Sequence, residues 1–303
     1  MIGCSLNSSR VYSAVPKRGR PRRWTVEHQY QLVDAFATRP LVGNPVAVFL
    51  DSFDLDQRTM QDIAAEFQLS EVVFVDRPRS DPTRVQCRIF TPVNELPFAG
   101  HPLIGAARVH LDRHQLSNAT FTTPSGAVRI SKDPADTSSV QITQAMPTEV
   151  ATEHAAELKA ALGTSSFAGP PALYDAGARH LVVPIRTVNE LMAIRPDQRR
   201  LSIFEDMAIN CYAAENGVLF NRMFSPAYGV QEDAATGSAC APIALHAVSI
   251  GLHDSLLRVE VRQGHKLGKD CRMTVSIRQD QEPQCAVSLS GATALVAHGT
   301  LLV

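Results

Sequence analysis

Residues 231–240 read QEDAATGSAC, and this polar, glycine-bearing stretch decides the fold. An earlier stretch, ELPFAGHP at residues 95–102, has the same plan of a polar loop, a glycine and then small apolar residues. The segments that precede them also match, with RIFTP at residues 88–92 and RMFSP at residues 222–226. In each case a strand-like segment leads through a loop into a helix. The repetition predicts an internal duplication whose two glycine loops face each other across one active site.

The wider pattern predicts an α+β protein with two similar lobes, each a curled, mixed β-sheet around a central α-helix. We expect a basic disordered extension over residues 1–26, a first lobe over 27–146 and a second over 147–303. The last strand of the second lobe can return to the first. Small residues dominate the segments after the glycine loops (103–111 and 242–246), as is typical of buried helices. The regular strand–helix alternation of a Rossmann domain is absent.

Hydrophobic periodicity and turn residues give the expected elements along the chain. Further helices are predicted near residues 54–67, 151–162 and 201–207. Strands are predicted at 31–36, 46–50, 72–75, 85–90, 119–130, 140–143, 180–185, 217–221, 259–261, 273–277, 286–289 and 294–297.

The composition is that of a globular enzyme, with 45% hydrophobic and 19% charged residues. No apolar run reaches the length of a membrane span. The six cysteines are scattered and form no Cys-x-x-Cys pair, which disfavours a metal site or a disulfide framework and favours the cytoplasm. Neither Gly-x-Gly-x-x-Gly nor Gly-Lys-Ser/Thr occurs, so we expect neither a bound dinucleotide nor a phosphate-binding P-loop.

The net charge of -1 hides an asymmetry between the N-terminal segment and the rest of the chain. Six of the 29 basic residues precede Glu27, the first acidic residue, which leaves 23 basic against 30 acidic residues and a net charge of -7. An acidic body is a poor nucleic-acid binder. The segment PKRGRPRR at residues 16–23 resembles an AT-hook, which lies along the minor groove of DNA. A basic or organellar leader without a DNA role is the simpler interpretation.

The two glycine loops suit a substrate carboxylate. A glycine beside a small polar residue at a helix start leaves backbone N–H groups unpaired under the positive end of the helix dipole. Such groups bind anions, and the candidates here are Gly100, Gly237 and Ser238. Either loop alone is more simply an ordinary capped helix start, but two copies in matched contexts favour a function.

Glu71 is the first candidate for proton transfer. It lies between Leu69 and the apolar strand at residues 72–75, so partial desolvation should raise its pKa. A group that both takes and returns a proton needs such a raised pKa. A solvated glutamate at a helix–strand junction is the alternative.

Two further titratable residues lie in the glycine loops themselves. His101 follows the first glycine, and a histidine in a loop is a fair proton-transfer group. Asp233, with Glu232 before it, precedes the second glycine and could act as an acid, a base or a substrate anchor. Ordinary negative charge at a helix N-terminus is the alternative for both carboxylates.

Taken together, these motifs resemble the PhzF-like (phenazine biosynthesis protein-like) family, which has the diaminopimelate epimerase fold. The resemblance extends from Tyr30 to Val303. It rests on the following segments: VDAF (33–36), GNP (43–45), LSEVVFV (69–75), FTP (90–92), ELPFAGHP (95–102), EDAATGS (232–238) and QG (263–264).

The resemblance implies a homodimeric, cofactor-independent isomerase that moves a proton on a small carboxylated metabolite bound between two lobes. In the best-known member, which isomerises a dihydro-hydroxyanthranilate, a glutamate removes a proton from one ring carbon and returns it at another. That glutamate corresponds to Glu71. His101 and Asp233 would be the assisting acid/base and orienting groups, and the glycine loops would hold the carboxylate.

Two departures from related patterns affect this interpretation. The Glu-Asp-Pro that is usual in the family before Ala-Thr-Gly is Glu-Asp-Ala here, with Ala234 in place of the proline. Related epimerases carry a cysteine in each glycine loop, whereas Ala99 and Ala234 occupy those positions here, which disfavours a two-cysteine racemase. A catalytically silent binding or regulatory protein, or a DNA-associated role through the basic tail, remains the alternative function.

Overall fold

A computed structural model describes residues 26–76, 81–151, 155–164, 166–278 and 286–303. The predicted basic extension, with its AT-hook-like segment, lies outside these residues except for Val26. The backbone of Val26 exchanges two hydrogen bonds with that of Val303. The described chain therefore starts and ends side by side.

The strands before residue 147 are β1 (Glu27–Ala35), β2 (Asn44–Leu50), β3 (Val72–Val75), β4 (Arg84–Phe90), β5 (Glu95–Leu96), β6 (Asn118–Thr123), β7 (Gly126–Lys132) and β8 (Ser139–Gln144). The helices of this part are α1 (Gln57–Phe67) and α2 (Gly100–Arg113).

The later strands are β9 (Thr148–Val150), β10 (Ala172–Asp175), β11 (Arg179–Pro184), β12 (Ala208–Glu215), β13 (Val218–Ser225), β14 (Val230–Asp233), β15 (Val259–Gln263), β16 (Cys271–Arg278) and β17 (Ala286–Leu302). The later helices are α3 (Ala155–Leu162), α4 (Val188–Ala193), α5 (Gln198–Leu201) and α6 (Cys240–Ser249), and a 3-10 turn, Gly237–Ala239, leads into α6.

The described strands form one continuous sheet with mixed pairing. Most neighbours are antiparallel, but β2 and β3, β4 and β6, β11 and β12, and β13 and β15 run parallel. The chain is therefore rich in sheet, with parallel pairs in both its earlier and its later part.

The longest strand, β17, connects the earlier and later parts of the sheet. Its first residues pair with β16 and β8, and the segment from Thr293 onward pairs with β1. The prediction of two separate strands at 286–289 and 294–297 was wrong because the polar, glycine-containing segment between them continues the ladder. A side chain at Gly291 would collide with the ring of Phe36, so glycine permits this close approach.

Helices α2 and α6 are buried on almost every side. Eleven of the 14 residues of α2 and seven of the ten residues of α6 are buried. Helix α2 packs against β1, β2, β3, β7, β8 and β17, while α6 packs against β11 and β16. Small residues allow the strands to approach these helices from several directions. No helix in the described ranges combines the length and the apolar character that crossing a membrane would require.

Two helix predictions need correction. Helix α1 starts after Asp56, whose carboxylate accepts a hydrogen bond from the backbone N–H of Thr59, and not after Asp54. The helix predicted at 201–207 is absent, because α5 ends at Leu201. Asp206 has a left-handed backbone, with φ of 56°, which a continuing helix cannot accommodate.

The strands that lead into the glycine loops carry matching ion pairs. On β4, the Arg88 guanidinium binds both carboxylate oxygens of Glu95 at 2.7 and 2.6 Å. On β13, the Arg222 guanidinium binds both oxygens of Glu232 at 2.9 and 2.8 Å. Each guanidinium also lies over the phenylalanine two residues later, at 5.1 and 5.0 Å from the ring centroid. The repeated segments RIFTP and RMFSP therefore make the same kinds of side-chain contact.

The two ion pairs should differ in their contribution to stability because they differ in burial. The side chains of Arg222 and Glu232 are 4% and 14% exposed, against 26% and 22% for Arg88 and Glu95. Arg222 also donates to two backbone carbonyls at the end of α4. We expect Arg222→Met to lower the free energy of unfolding by about 3–5 kcal/mol, because it leaves a buried carboxylate unpaired.

Arg88→Met is the matched control for this prediction. Its pair is partly screened by solvent, so we expect a loss of about 1 kcal/mol or less. Urea unfolding of both variants measures the difference. Equal losses in the two variants would contradict the assignment of a buried, structural role to the Arg222 pair.

Candidate active site

The two glycine loops are in contact, as the sequence pattern predicts. An added Cβ on Gly100 would lie 2.8 Å from the backbone nitrogen of Ser238 and 2.9 Å from the carbonyl carbon of Gly237. An added Cβ on Gly237 would lie 3.3 Å from the carbonyl carbon of Gly100. Only residues without a side chain let the start of α2 meet the turn before α6 this closely.

Neither of these helix starts is capped by a side chain. Ala99 precedes α2, and Thr236 precedes the 3-10 turn that leads into α6, and neither makes a side-chain capping hydrogen bond. The first turns also contain no acidic residue. Their backbone N–H groups therefore keep the positive end of each helix dipole available to an anion.

Glu71 and His101 meet beside these loops. The Oε2 atom of Glu71 lies 3.1 Å from the Nε2 atom of His101, and the two side chains are 14% and 4% exposed. Neither of these two buried atoms forms a hydrogen bond of good geometry within the described part of the chain. The two groups are therefore adjacent without being joined by a hydrogen bond in this arrangement.

Burial moves both groups toward their neutral forms. Desolvation raises the pKa of Glu71 well above its ordinary value, and the negative charge of Asp233 raises it further. Desolvation lowers the pKa of His101 to about 4, although the Asp233 charge opposes this shift. Burial therefore disfavours a charged salt bridge between these two side chains.

Asp233, at the end of β14, is held by several hydrogen bonds. Its Oδ1 atom accepts from the Nδ2 group of Asn44 at 2.8 Å, and its Oδ2 atom accepts from the hydroxyl of Thr236 at 2.7 Å. Its backbone carbonyl accepts from the Nε2 group of Gln263 at 2.9 Å. Asp233 is 6% exposed, so this carboxylate is buried and well fixed.

Glu232 does not share this position, although the sequence made it a candidate beside Asp233. Successive residues of a strand point to opposite faces, so Glu232 turns away from Asp233. Both of its carboxylate oxygens bind Arg222 instead. Glu232 is therefore part of an ion pair beneath the site and not an acid or base within it.

The described cysteines take no part in these contacts. Cys240 is fully buried, and desolvation raises its thiol pKa. Its sulfur lies 3.4 Å from the sulfur of Met273. Within the described ranges, no group of three or more His, Cys, Asp or Glu residues is arranged to hold a metal ion.

The sequence did not identify three polar residues of this site as functional. Asn44, Thr236 and Gln263 surround Asp233, and the sequence gave them weight only as parts of family-like motifs. Asn44 lies 189 residues before Asp233. An amide or hydroxyl group carries no chemical signature on its own, so only the folded contacts distinguish these residues from ordinary polar ones.

Known proteins resemble this chain both in sequence and in fold. A sequence profile described as phenazine biosynthesis-like protein matches residues 33–299. The trans-2,3-dihydro-3-hydroxyanthranilate isomerase of Pseudomonas fluorescens is 43% identical over 281 residues, which cover 91% of this chain and 100% of that protein. Among solved structures, a predicted epimerase from Pseudomonas aeruginosa is 30% identical, with a TM-score of 0.78 over 91% of this chain and 99% of its own. A hydroxyproline epimerase from Agrobacterium vitis shares the fold at 12% identity, with a TM-score of 0.60 over 94% of each chain.

The fold defines a class of sheet-rich proteins that includes the two solved structures named above. Within that class, the chain belongs to the phenazine biosynthesis-like protein family. The isomerase class that the sequence predicts is thereby confirmed.

Proposed function

We propose that this protein isomerises a small, cyclic, carboxylated metabolite of the trans-2,3-dihydro-3-hydroxyanthranilate type, without a cofactor. The observation that carries the proposal is the buried Glu71–His101 contact of 3.1 Å beside the two touching glycine loops. The 43% identity to an isomerase of this substrate supports the choice of substrate class.

In the proposed mechanism, Glu71 carries the proton. Its ionised carboxylate removes a proton from one ring carbon, the double bonds of the ring shift, and the resulting carboxyl group returns a proton at another ring carbon. The substrate keeps its atoms and its charge overall, as an isomerisation requires. A positioned acid/base group of this kind contributes roughly 10²–10⁴-fold to a rate.

The glycine loops hold the substrate carboxylate in this proposal. The backbone N–H groups of Gly100, Gly237 and Ser238 would donate to it from two helix starts that lack side-chain caps. His101 would relay protons with Glu71, and Asp233 would orient the polar substituents of the ring. The carboxylate is thus fixed at one end while the reacting carbons lie over Glu71.

The proposal is tested by incubating the protein with trans-2,3-dihydro-3-hydroxyanthranilate in deuterated water and following the ring C–H signals by NMR. We expect the substrate to be consumed and a ring isomer of equal mass, apart from deuterium, to form. A protein that binds the compound but leaves every ring C–H signal unchanged would be a silent binding protein, and the proposed function would be rejected.

The pH dependence of the reaction follows from the pKa shift of Glu71. Proton removal needs the ionised carboxylate, so kcat/KM should rise as Glu71 ionises. Because the pKa of Glu71 is raised, this rise should occur at a pH well above the ordinary glutamate pKa of about 4.3. His101, with a pKa of about 4, is already neutral in that range. Asp233→Asn removes a charge that raises the Glu71 pKa, so the rising limb should move to lower pH. A limb that stays in place or moves to higher pH would contradict this coupling.

We also infer that the chain consists of two duplicated lobes, 27–146 and 147–303, with α2 and α6 as their central helices and β17 returning to the first lobe. The matching Arg88–Glu95 and Arg222–Glu232 pairs before the two glycine loops support this inference. Separate expression of residues 27–146 and 147–303 tests it, because each duplicated lobe should acquire secondary structure by itself.

A homodimer and a cytoplasmic location are further parts of the proposal. The described cysteines are free and buried, which agrees with a reducing compartment. Sedimentation velocity on the full chain decides between a monomer and a dimer.

A further inference from the structure

Backbone groups determine which atoms donate and which accept in the hydrogen bonds around Asp233. Gln263 is fully buried and makes four hydrogen bonds through its side-chain amide. Its oxygen accepts from the backbone N–H of Thr236 at 3.1 Å and from the amide of Asn221 at 2.8 Å. Its Nε2 group donates to the backbone carbonyl of Asp233 at 2.9 Å and to the Thr236 hydroxyl at 3.0 Å. A backbone N–H only donates and a carbonyl only accepts, so the amide of Gln263 cannot be reversed.

This orientation fixes the Thr236 hydroxyl in turn. Because Gln263 donates to the hydroxyl oxygen, the single hydroxyl proton of Thr236 points to the Oδ2 atom of Asp233, 2.7 Å away. On the other side, the Nδ2 group of Asn44 must be a donor, since it also binds the backbone carbonyl of Ala235 at 3.0 Å. Both oxygens of Asp233 therefore act as acceptors, the arrangement of a carboxylate and not of a protonated acid.

We propose that Gln263, acting through the Thr236 hydroxyl, and Asn44 are positioning residues that hold Asp233 as a fixed, charged acceptor in the site. The inference rests on the proposed function of the site. It adds three residues, Gln263, Thr236 and Asn44, that neither contact the substrate nor exchange a proton in the proposed mechanism. They instead determine the direction and the charge of Asp233, which orients the substrate.

The groups that sense this charge come from three different elements. Asp233 influences the proton affinity of Glu71 before β3, of His101 on α2 and of Cys271 on β16. Cys271 also lies near Asp34, Lys269 and Asp270, so it reports on several charges at once. Glu71 and His101 are therefore the specific reporters of the Asp233 carboxylate.

The test compares Thr236→Val with Thr236→Ser in the full chain. Valine keeps the shape of threonine but removes the hydroxyl, while serine keeps the hydroxyl. We expect Thr236→Val to lower kcat about tenfold or more with KM changed less than about twofold, the effect of losing one hydrogen bond to a charged group. Thr236→Ser should restore kcat to within about threefold of the wild-type value.

Thr123→Val is the matched control for the loss of a buried hydroxyl. Thr123 is 5% exposed and donates to the carbonyl of Gly126, and neither residue belongs to a glycine loop or to the hydrogen bonds around Asp233. It should lower the melting temperature to a similar extent without the loss of kcat. A Thr236→Val enzyme that keeps its wild-type kcat, or a serine variant as slow as the valine variant, would overturn the proposal.

Gln263→Met tests whether Gln263 acts on Asp233 through Thr236. If Gln263 acts through Thr236, the double variant Thr236→Val, Gln263→Met should lose clearly less kcat than the product of the two single losses. A full product of the losses would show that Gln263 acts independently of Thr236, which contradicts the proposal.

A titration separates failure of this inference from failure of the proposed function. The ¹³C signal of the Glu71 carboxyl group, followed against pH, reports the Asp233 charge without any turnover. Thr236→Val should move the titration in the same direction as Asp233→Asn, toward the ordinary glutamate range, by a smaller amount. An unchanged titration rejects the positioning role, whereas wild-type activity of Glu71→Gln rejects the proposed function.

Discussion

Replacing Glu71 with glutamine should lower kcat for ring isomerisation by roughly 10²–10⁴-fold, the usual contribution of a positioned acid/base group. Glutamine has the shape of the glutamic acid side chain, but it can neither take up nor release the proton. Because burial raises the pKa of the Glu71 carboxyl and so favours its neutral form, its replacement by a neutral amide should cost little stability. The loss should therefore appear in kcat, with KM and the melting temperature nearly unchanged.

Glu66→Gln is the matched control for this variant. Glu66 lies on the exposed face of α1, five residues before Glu71. Its replacement by glutamine is the same chemical change at a position outside the site. It should retain wild-type kcat. Isomerisation by Glu71→Gln at the wild-type rate would show that another group carries the proton, and the mechanism would fail.

Replacing Gly100 with alanine should separate the two glycine loops. The new Cβ would lie 2.8 Å from the backbone nitrogen of Ser238, closer than real Cβ contacts allow, and a backbone group cannot rotate away as a side chain can. We expect a loss of about 1–3 kcal/mol in the free energy of unfolding from overpacking. Displacing the carboxylate site by about 1 Å should lower kcat/KM by roughly 10²-fold.

Gly169→Ala is the control that separates crowding at the loops from a general effect of losing a glycine. Its added Cβ would meet the terminal methyl of Ile250 at 3.1 Å, a group that can move aside. Thermal unfolding and steady-state kinetics should both stay near the wild-type values. A Gly100→Ala enzyme as active as Gly169→Ala would contradict the contact between the loops as a feature of the site.

The sequence predicted those features of the site that depend on residues next to each other in the chain. Glu71 stands against a strand of four apolar residues, and those residues make its surroundings dry in the fold as well. The glycine loops were recognisable because each joins a strand to a helix of small residues. Strand β3 lies where the sequence predicts it, at residues 72–75.

Features that depend on distant partners were not predictable in this way. Asn44 reaches Asp233 from β2, and no local pattern indicates which buried amide will bind which carboxylate. The sequence predicts two strands at 286–289 and 294–297, whereas pairing with β8 and then with β1 carries the single strand β17 through Gly291. The helix expected at 201–207 failed for the opposite reason, since its apolar residues serve a turn and not a helical face.

The proposed proton transfer depends most directly on Glu71 being a buried base with a raised pKa. The decisive measurement is the ¹³C NMR titration of the Glu71 carboxyl group in the wild-type protein, assigned with the Glu71→Gln variant. We predict a midpoint well above the ordinary glutamate value of about 4.3, because burial and the Asp233 charge both favour the protonated form. A midpoint at or below that ordinary value would mean that Glu71 is solvated, and would contradict its role as the proton carrier.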